Sequence, residues 1–156
     1  SIERAAEILE RHGCLNFCIN AGGDIAIRGN PTANEPWRVG IRHPDQAQSL
    51  ALVINASRRL GIATSATYER GAHIIDPRTD TYTTDLASVT IVGPDLTLAD
   101  AYATTVFVMG LNGLDWLTRH NGYDGYLITH DDMTYWTDGF NQYRSTDSGD
   151  ATKAPE

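Results

Sequence analysis

Residues 15–29 read LNFCINAGGDIAIRG, and how they fold decides the architecture. LNFCINA and DIAIRG each read as a strand, and the Gly22–Gly23 pair between them supplies the backbone freedom of a tight turn. The stretch therefore predicts strand, turn, strand. Downstream, PWRVGIRHP alternates in strand fashion between two prolines, and SLALVINAS and RLGIATSA come next around the polar turn 57–59. An antiparallel meander is the simplest topology for this series.

Helices flank the strands. SIERAAEILERHG places Ile2, Ala5, Ala6, Ile8 and Leu9 at helical spacing and is closed by Gly13. Residues 97–109, within LTLADAYATTVFVMG, read as a second helix, GLDWLTRHNG as a short third, and YDGYLITHDDMTYWTDGF as a closing hairpin packed by Tyr135, Trp136, Phe140 and Tyr143. The expected fold is α+β, a largely antiparallel sheet with packed helices. Residues 1–143 form one unit, and 144–156 a polar, disordered tail.

The 156 residues suffice for one domain with a sizeable core. No apolar run approaches the roughly 20 residues that span a bilayer. A net charge of −8 and a pI near 4.9 argue against nucleic acid and for small-molecule or protein partners. Cys14 and Cys18 lack the companions of a zinc site or a disulfide framework and read as buried, inert thiols. The sequence opens inside a helical pattern without a methionine or targeting segment, as an excised or processed piece would.

Three clusters offer chemistry. Asp100 and Thr104 share one face of the second helix. Capping accounts for the first, with Thr97 as N-cap and Asp100 as its acidic N3 partner; a back-bond to the Asp100 carbonyl accounts for the second. The alternative is a pair of hard oxygen donors for Mg²⁺, beside the small Ala101 and Ala103. In NAGGDI, a plain hairpin turn explains the glycines as well as a ligand site does, with Asp24 coming at once after them. GIATSATYERGAHIIDP brings hydroxyls at Thr64, Ser65 and Thr67, then His73, whose neighbours can tune it for general-base work. The polar loop after His73 is a further functional candidate. No Gly-x-Ser-x-Gly elbow and no Walker or dinucleotide glycine motif is present.

In order along the chain, SIERAAEIL, NAGGDI, WRVGIRHP, GIATSATYER, HIIDPRT, SVTIVG and TLADAYATTVFVMG resemble the FAD:protein FMN transferase (ApbE flavin transferase) family. That resemblance implies an enzyme that splits FAD with Mg²⁺, moves FMN onto a threonine of an acceptor protein and releases AMP. It implies Asp100, Thr104 and the backbone carbonyl of Ser1 as metal ligands. His73 would be the base for the acceptor threonine and belong to the cofactor site, where Ile74 and Ile75 would line the flavin or pyrophosphate path, and Asp24 would stand at the cofactor cleft. Ala66 and Asp80 replace usual glycines and Glu3 a usual aspartate.

The family's members are bacterial, often exported or membrane-anchored, and considerably longer. The chain is therefore expected to be the C-terminal part, without the N-terminal portion that supplies much of the FAD cleft. The rival readings are hydrolysis of FAD to FMN and AMP, or a flavin-binding module without catalysis.

Overall fold

The computed structural model describes residues 1–46, 48–67 and 86–145, together with the backbone of 75–76 and 81–82. Helix α1 spans Ile2–Arg11; the Ser1 hydroxyl caps it by accepting the N–H of Arg4 at 3.4 Å. Gly13 lies just past its end at φ 82°, in the left-handed conformation that glycine adopts without a side-chain clash. β1 (Phe17–Ala21) and β2 (Asp24–Arg28) then pair in register Ala21–Asp24. Gly22 and Gly23 take φ of 68° and 100°, the paired positive values of a two-residue hairpin turn.

The expected meander breaks after this hairpin. β2 pairs with β5 (Arg59–Ala66), while β3 (Trp37–Arg42) and β4 (Leu50–Ala56) form a two-stranded sheet of their own. The backbones of β6 (Ile75–Asp76) and β7 (Thr81–Tyr82) pair with each other. β5 continues antiparallel to β8 (Leu86–Gly93), β8 to β9 (Asp124–Thr129), and β9 to β10 (Thr134–Trp136). The main sheet therefore has the order β1-β2-β5-β8-β9-β10. The β3–β4 hairpin lies on it as a cover because each of its strands has one apolar face to bury: Val39, Ile41, Leu52, Ile54 and Ala56.

Two cores result, one on each face of the main sheet. Helix α2 (Leu96–Met109) and the short α3 (Asn112–Leu117) close the first, where Ala99, Ala103, Val106, Phe107 and Leu117 meet Ala26, Ala63, Val89, Ile91 and Leu127. The hairpin and a 3₁₀ turn (Asp138–Tyr143) close the second, against Ile25, Ile27, Leu60, Ile62, Val92 and Tyr126. Strand alternation sorts β5 between them. Ala63 faces the helices, and Leu60 and Ile62 face the hairpin. All eight residues of β8 are buried, which explains its nearly unbroken apolar sequence.

Two further expectations change. The folded part reaches Ser145: the Ser145 N–H donates to the Val53 carbonyl at 3.1 Å, and the Arg144 guanidinium lies 4.5 Å from the Trp136 ring centre. Residues 146–156 lie outside the described residues. Cys14 and Cys18 are exposed, not buried: Cys14 lies in the connection between α1 and β1, and Cys18 is on the edge strand β1, on the face opposite Phe17 and Ile19, which pack toward the helices. Partial desolvation pushes the Cys18 thiol above its ordinary value. Among the described residues, no helix is long and apolar enough to cross a membrane.

Candidate functional site

The site expected from the sequence is built on α2, and the start of that helix sets where its side chains fall. Its N-cap is Asp95, not Thr97: the Asp95 carboxylate accepts the Leu98 N–H at 3.0 Å, and the helix begins at Leu96. Packing sets this register. Leu96 is buried, and its backbone stands so close to Gly61 that a Cβ there would lie 2.6 Å from the Leu96 Cα. From the first turn of α1, Glu3 Oε1 accepts the Leu96 N–H at 3.2 Å. Beside it the Tyr123 ring covers Gly93, and burial, reinforced by the Asp95 charge, pushes the Tyr123 phenol above its ordinary value.

From this start α2 runs along β5. Leu96 to Thr104 is eight helical steps, about 12 Å; Gly61 to Ser65 is four strand steps, about 13 Å. The two advances match, and Thr104 Oγ1 arrives 3.3 Å from Ser65 Oγ.

Asp100 is thus in the second turn, past the capping positions, and exposed. It has no hydrogen bond or ion pair among the described residues, so capping does not account for it. Nor does Thr104 make the expected back-bond. Its neighbour Thr105 does, donating to the Ala101 carbonyl at 2.8 Å, while Thr104 stays exposed and turned toward Ser65. Asp100 and Thr104 therefore present a carboxylate and a hydroxyl from successive turns of one helix.

A hard cation requires oxygen donors that are not already committed and room for water. Asp100 has no partner among the described residues, the Thr104 hydroxyl keeps a lone pair beside its contact with Ser65, and both side chains are exposed. Among the described residues no three His, Cys, Asp or Glu side chains cluster. Ser1 is the N-cap of α1, and its carbonyl accepts the Ala5 N–H at 3.3 Å, leaving a second lone pair. The Glu3–Leu96 bond joins the starts of α1 and α2, the helices that carry Ser1 and Asp100.

The other expected residues divide. Asp24 heads β2 on the face shared by Ala26 and Arg28, the helix side, one register step beyond the Ile25–Ile62 pair. A cavity of about 430 Å³, lined by Asn20, Gly22, Gly23, Arg42 and Thr64 among others, opens on the opposite, hairpin side. There Thr64 and Thr90 join hydroxyls at 2.9 Å across the sheet. His73 and Ile74 lie outside the described residues, as does most of the polar loop beyond them; of Ile75 only the backbone, in β6, is described. Ala66 is an ordinary buried strand residue paired with Ser88, without a positive φ that would demand glycine.

Two features escaped the sequence reading. One is the Ser65–Thr104 contact, whose only sequence signal is strand parity together with the matched lengths of helix and strand. The other is a charge network that fixes α1. Arg28, with 4% of its side chain exposed, donates to Glu10 Oε1 at 2.7 Å and to Glu3 Oε2 at 2.9 Å, and Arg59 reaches Glu10 Oε1 at 3.1 Å. The Arg28 hydrogen bond is the chief cause that holds the Glu10 carboxyl below its usual range.

This fold is that of a known class of proteins. It superposes on the flavin transferase ApbE from Vibrio cholerae with a TM-score of 0.77 at 28% identity, over 90% of this chain and 48% of that one. An ApbE protein from Thermotoga maritima aligns with a TM-score of 0.80 at 27% identity, over 92% of this chain and 50% of the other. The ApbE family model matches residues 1–127, and the chain belongs to that family. It is 28% identical over 152 residues to the FAD:protein FMN transferase of Klebsiella pneumoniae (strain 342), covering 92% of this chain and 43% of the relative. The chain thus spans about half the length of the proteins it matches.

Proposed function

We propose that this chain carries the metal-binding part of a Mg²⁺-dependent FAD:protein FMN transferase, with Asp100, Thr104 and the Ser1 carbonyl as protein ligands. The observation that carries the reading is the Asp100–Thr104 pair, left unused by capping and back-bonding, in a chain whose relatives bear that enzyme's name. A Mg²⁺ bound there supplies neutralising charge to the pyrophosphate of FAD. Asp100 contributes the anionic ligand and Thr104 a neutral one, and the rigid α2–β5 contact holds both in place. The acceptor threonine oxygen bonds to the FMN phosphorus as the bond to the AMP phosphate breaks, and AMP leaves. His73 takes the hydroxyl proton in this scheme, and Asp24, Ile74 and Ile75 border the flavin nucleotide.

The test is Mg²⁺-dependent AMP release from FAD, with mass spectrometry of a threonine-bearing acceptor, by the complete natural polypeptide carrying this chain. Asp100→Ala is expected to abolish both signals. AMP release that is indifferent to Asp100→Ala overturns the metal assignment, and FMN appearing free with an unmodified acceptor favours hydrolysis.

A further inference from the structure

The Ser65 hydroxyl is not among the residues proposed above to hold the metal or the flavin, yet it is the hydrogen-bond partner of one of them. We infer that Ser65 is a positioning residue for the cation site: it accepts the Thr104 hydroxyl proton and so turns the Thr104 lone pairs toward the metal. The inference rests on the proposed Asp100–Thr104 site.

The comparison between adjacent threonines on α2 carries it. Thr105 folds back onto its own helix and donates to the Ala101 carbonyl at 2.8 Å. Thr104 is in the same helix and has the same intrinsic option. Its hydroxyl instead meets Ser65 Oγ at 3.3 Å. A threonine that back-bonds has its oxygen held against the helix backbone; one that donates outward presents the oxygen to an incoming ligand.

Chemistry fixes the direction of that bond once a cation is present. In the free chain either hydroxyl can donate. A threonine oxygen that gives a lone pair to a divalent cation becomes more acidic and a poor acceptor, so its proton must be donated, and Ser65 Oγ is the partner its hydroxyl meets among the described residues. Ser65 is well placed to hold this geometry. It lies near the end of β5, past the β2–β5 ladder that stops at Ile62, where it pairs with Val89 of the buried strand β8, and it shares the helix-facing parity of Ala63.

The test is calorimetric titration of Mg²⁺ into this chain in the presence of FAD, with heat-denaturation curves recorded without metal. Partners of metal ligands typically change affinity 10–100-fold when removed. Ser65→Ala is expected to weaken Mg²⁺ binding roughly ten-fold with the metal-free Tm unchanged, and Ser65→Thr, which restores a hydroxyl, to bind within about two-fold of the native chain. Asp100→Ala serves as the control. If Asp100→Ala loses binding while Ser65→Ala matches the native chain, the positioning role is wrong and the metal site stands. If Asp100→Ala and the native chain titrate alike, or the native chain takes up no Mg²⁺, both fall. A Ser65→Ala chain with a lowered metal-free Tm and unaltered affinity reduces Ser65 to a structural contact.

Discussion

Asp95 and Asp100 stand five residues apart at the start of α2, and single substitutions separate what each does. Asp95→Ala removes the cap on Leu98 and is expected to cost about 1 kcal/mol of stability in urea denaturation. Asp100→Ala removes no hydrogen bond to a described residue and places the best helix former in an exposed helix position, so stability should stay within about 0.5 kcal/mol or rise. Mg²⁺ binding should show the opposite order, surviving the first change and failing with the second. Capping by Asp100 would reverse the two stability effects. The sequence left this open because Thr97-x-x-Asp100 satisfies the capping pattern locally, and only the burial of Leu96 against Gly61 selects the other register. Nor could the sequence say which threonine back-bonds, since that depends on Ser65 arriving from another element.

At the scale of elements, two contacts fix α1 and α2 against the sheet, and each can be removed. Gly61 takes no left-handed φ; its requirement is steric, so Gly61→Ala must push the Leu96 backbone outward. We expect a loss of roughly 1–3 kcal/mol and weakened Mg²⁺ binding, because moving the start of α2 moves Thr104 off Ser65; unchanged calorimetric affinity would dissociate the helix position from the site. The α1 anchor depends on charge. Arg28→Ala removes the shorter ion pair of the partly buried Glu3 carboxylate, leaving it Arg59 at 3.5 Å and the Leu96 N–H, and should cost about 1–3 kcal/mol. Glu10 adds a pH signature. Its folded pKa lies below the ordinary 4.5, so its contribution is present above pH 4.5 and disappears as pH falls through the lower folded value. Unfolding midpoints measured across that window should fall with pH in the native chain and fall less in Glu10→Gln. The helices themselves were legible from their apolar spacing. The anchor was not, since Glu3, Glu10, Arg28 and Arg59 look like surface charges until the fold joins residues 18 to 56 positions apart.

At the scale of the whole molecule, the sequence disclosed the strands but not their distribution between sheets. β3 and β4 alternate more and less buried residues just as strands of the main sheet could, and periodicity says which face is buried without saying against what. The structure makes them a separate layer, tied to the main sheet by the Ile54 core, by the Trp37 Nε1–H donating to the Arg28 carbonyl at 3.3 Å, and by His43 Nε2, 3.4 Å from Asp132. No β-ladder crosses that boundary among the described strands. Side-chain packing therefore carries most of the attachment, and the hairpin layer should open as a unit before the main sheet does. Ile54, fully buried, is the probe. Ile54→Ala leaves a cavity at the centre of this second core and is expected to cost about 2–5 kcal/mol. Hydrogen exchange should quicken in 37–56 and 138–145, the segments that close that core, while peptides from β5, β8 and α2 keep their native protection. The proposed metal site, on the opposite face of the sheet, would then retain its Mg²⁺ affinity in the same variant. Equal acceleration everywhere would mean that the two cores unfold together, and that the hairpin is as integral to the site as the helices that build it.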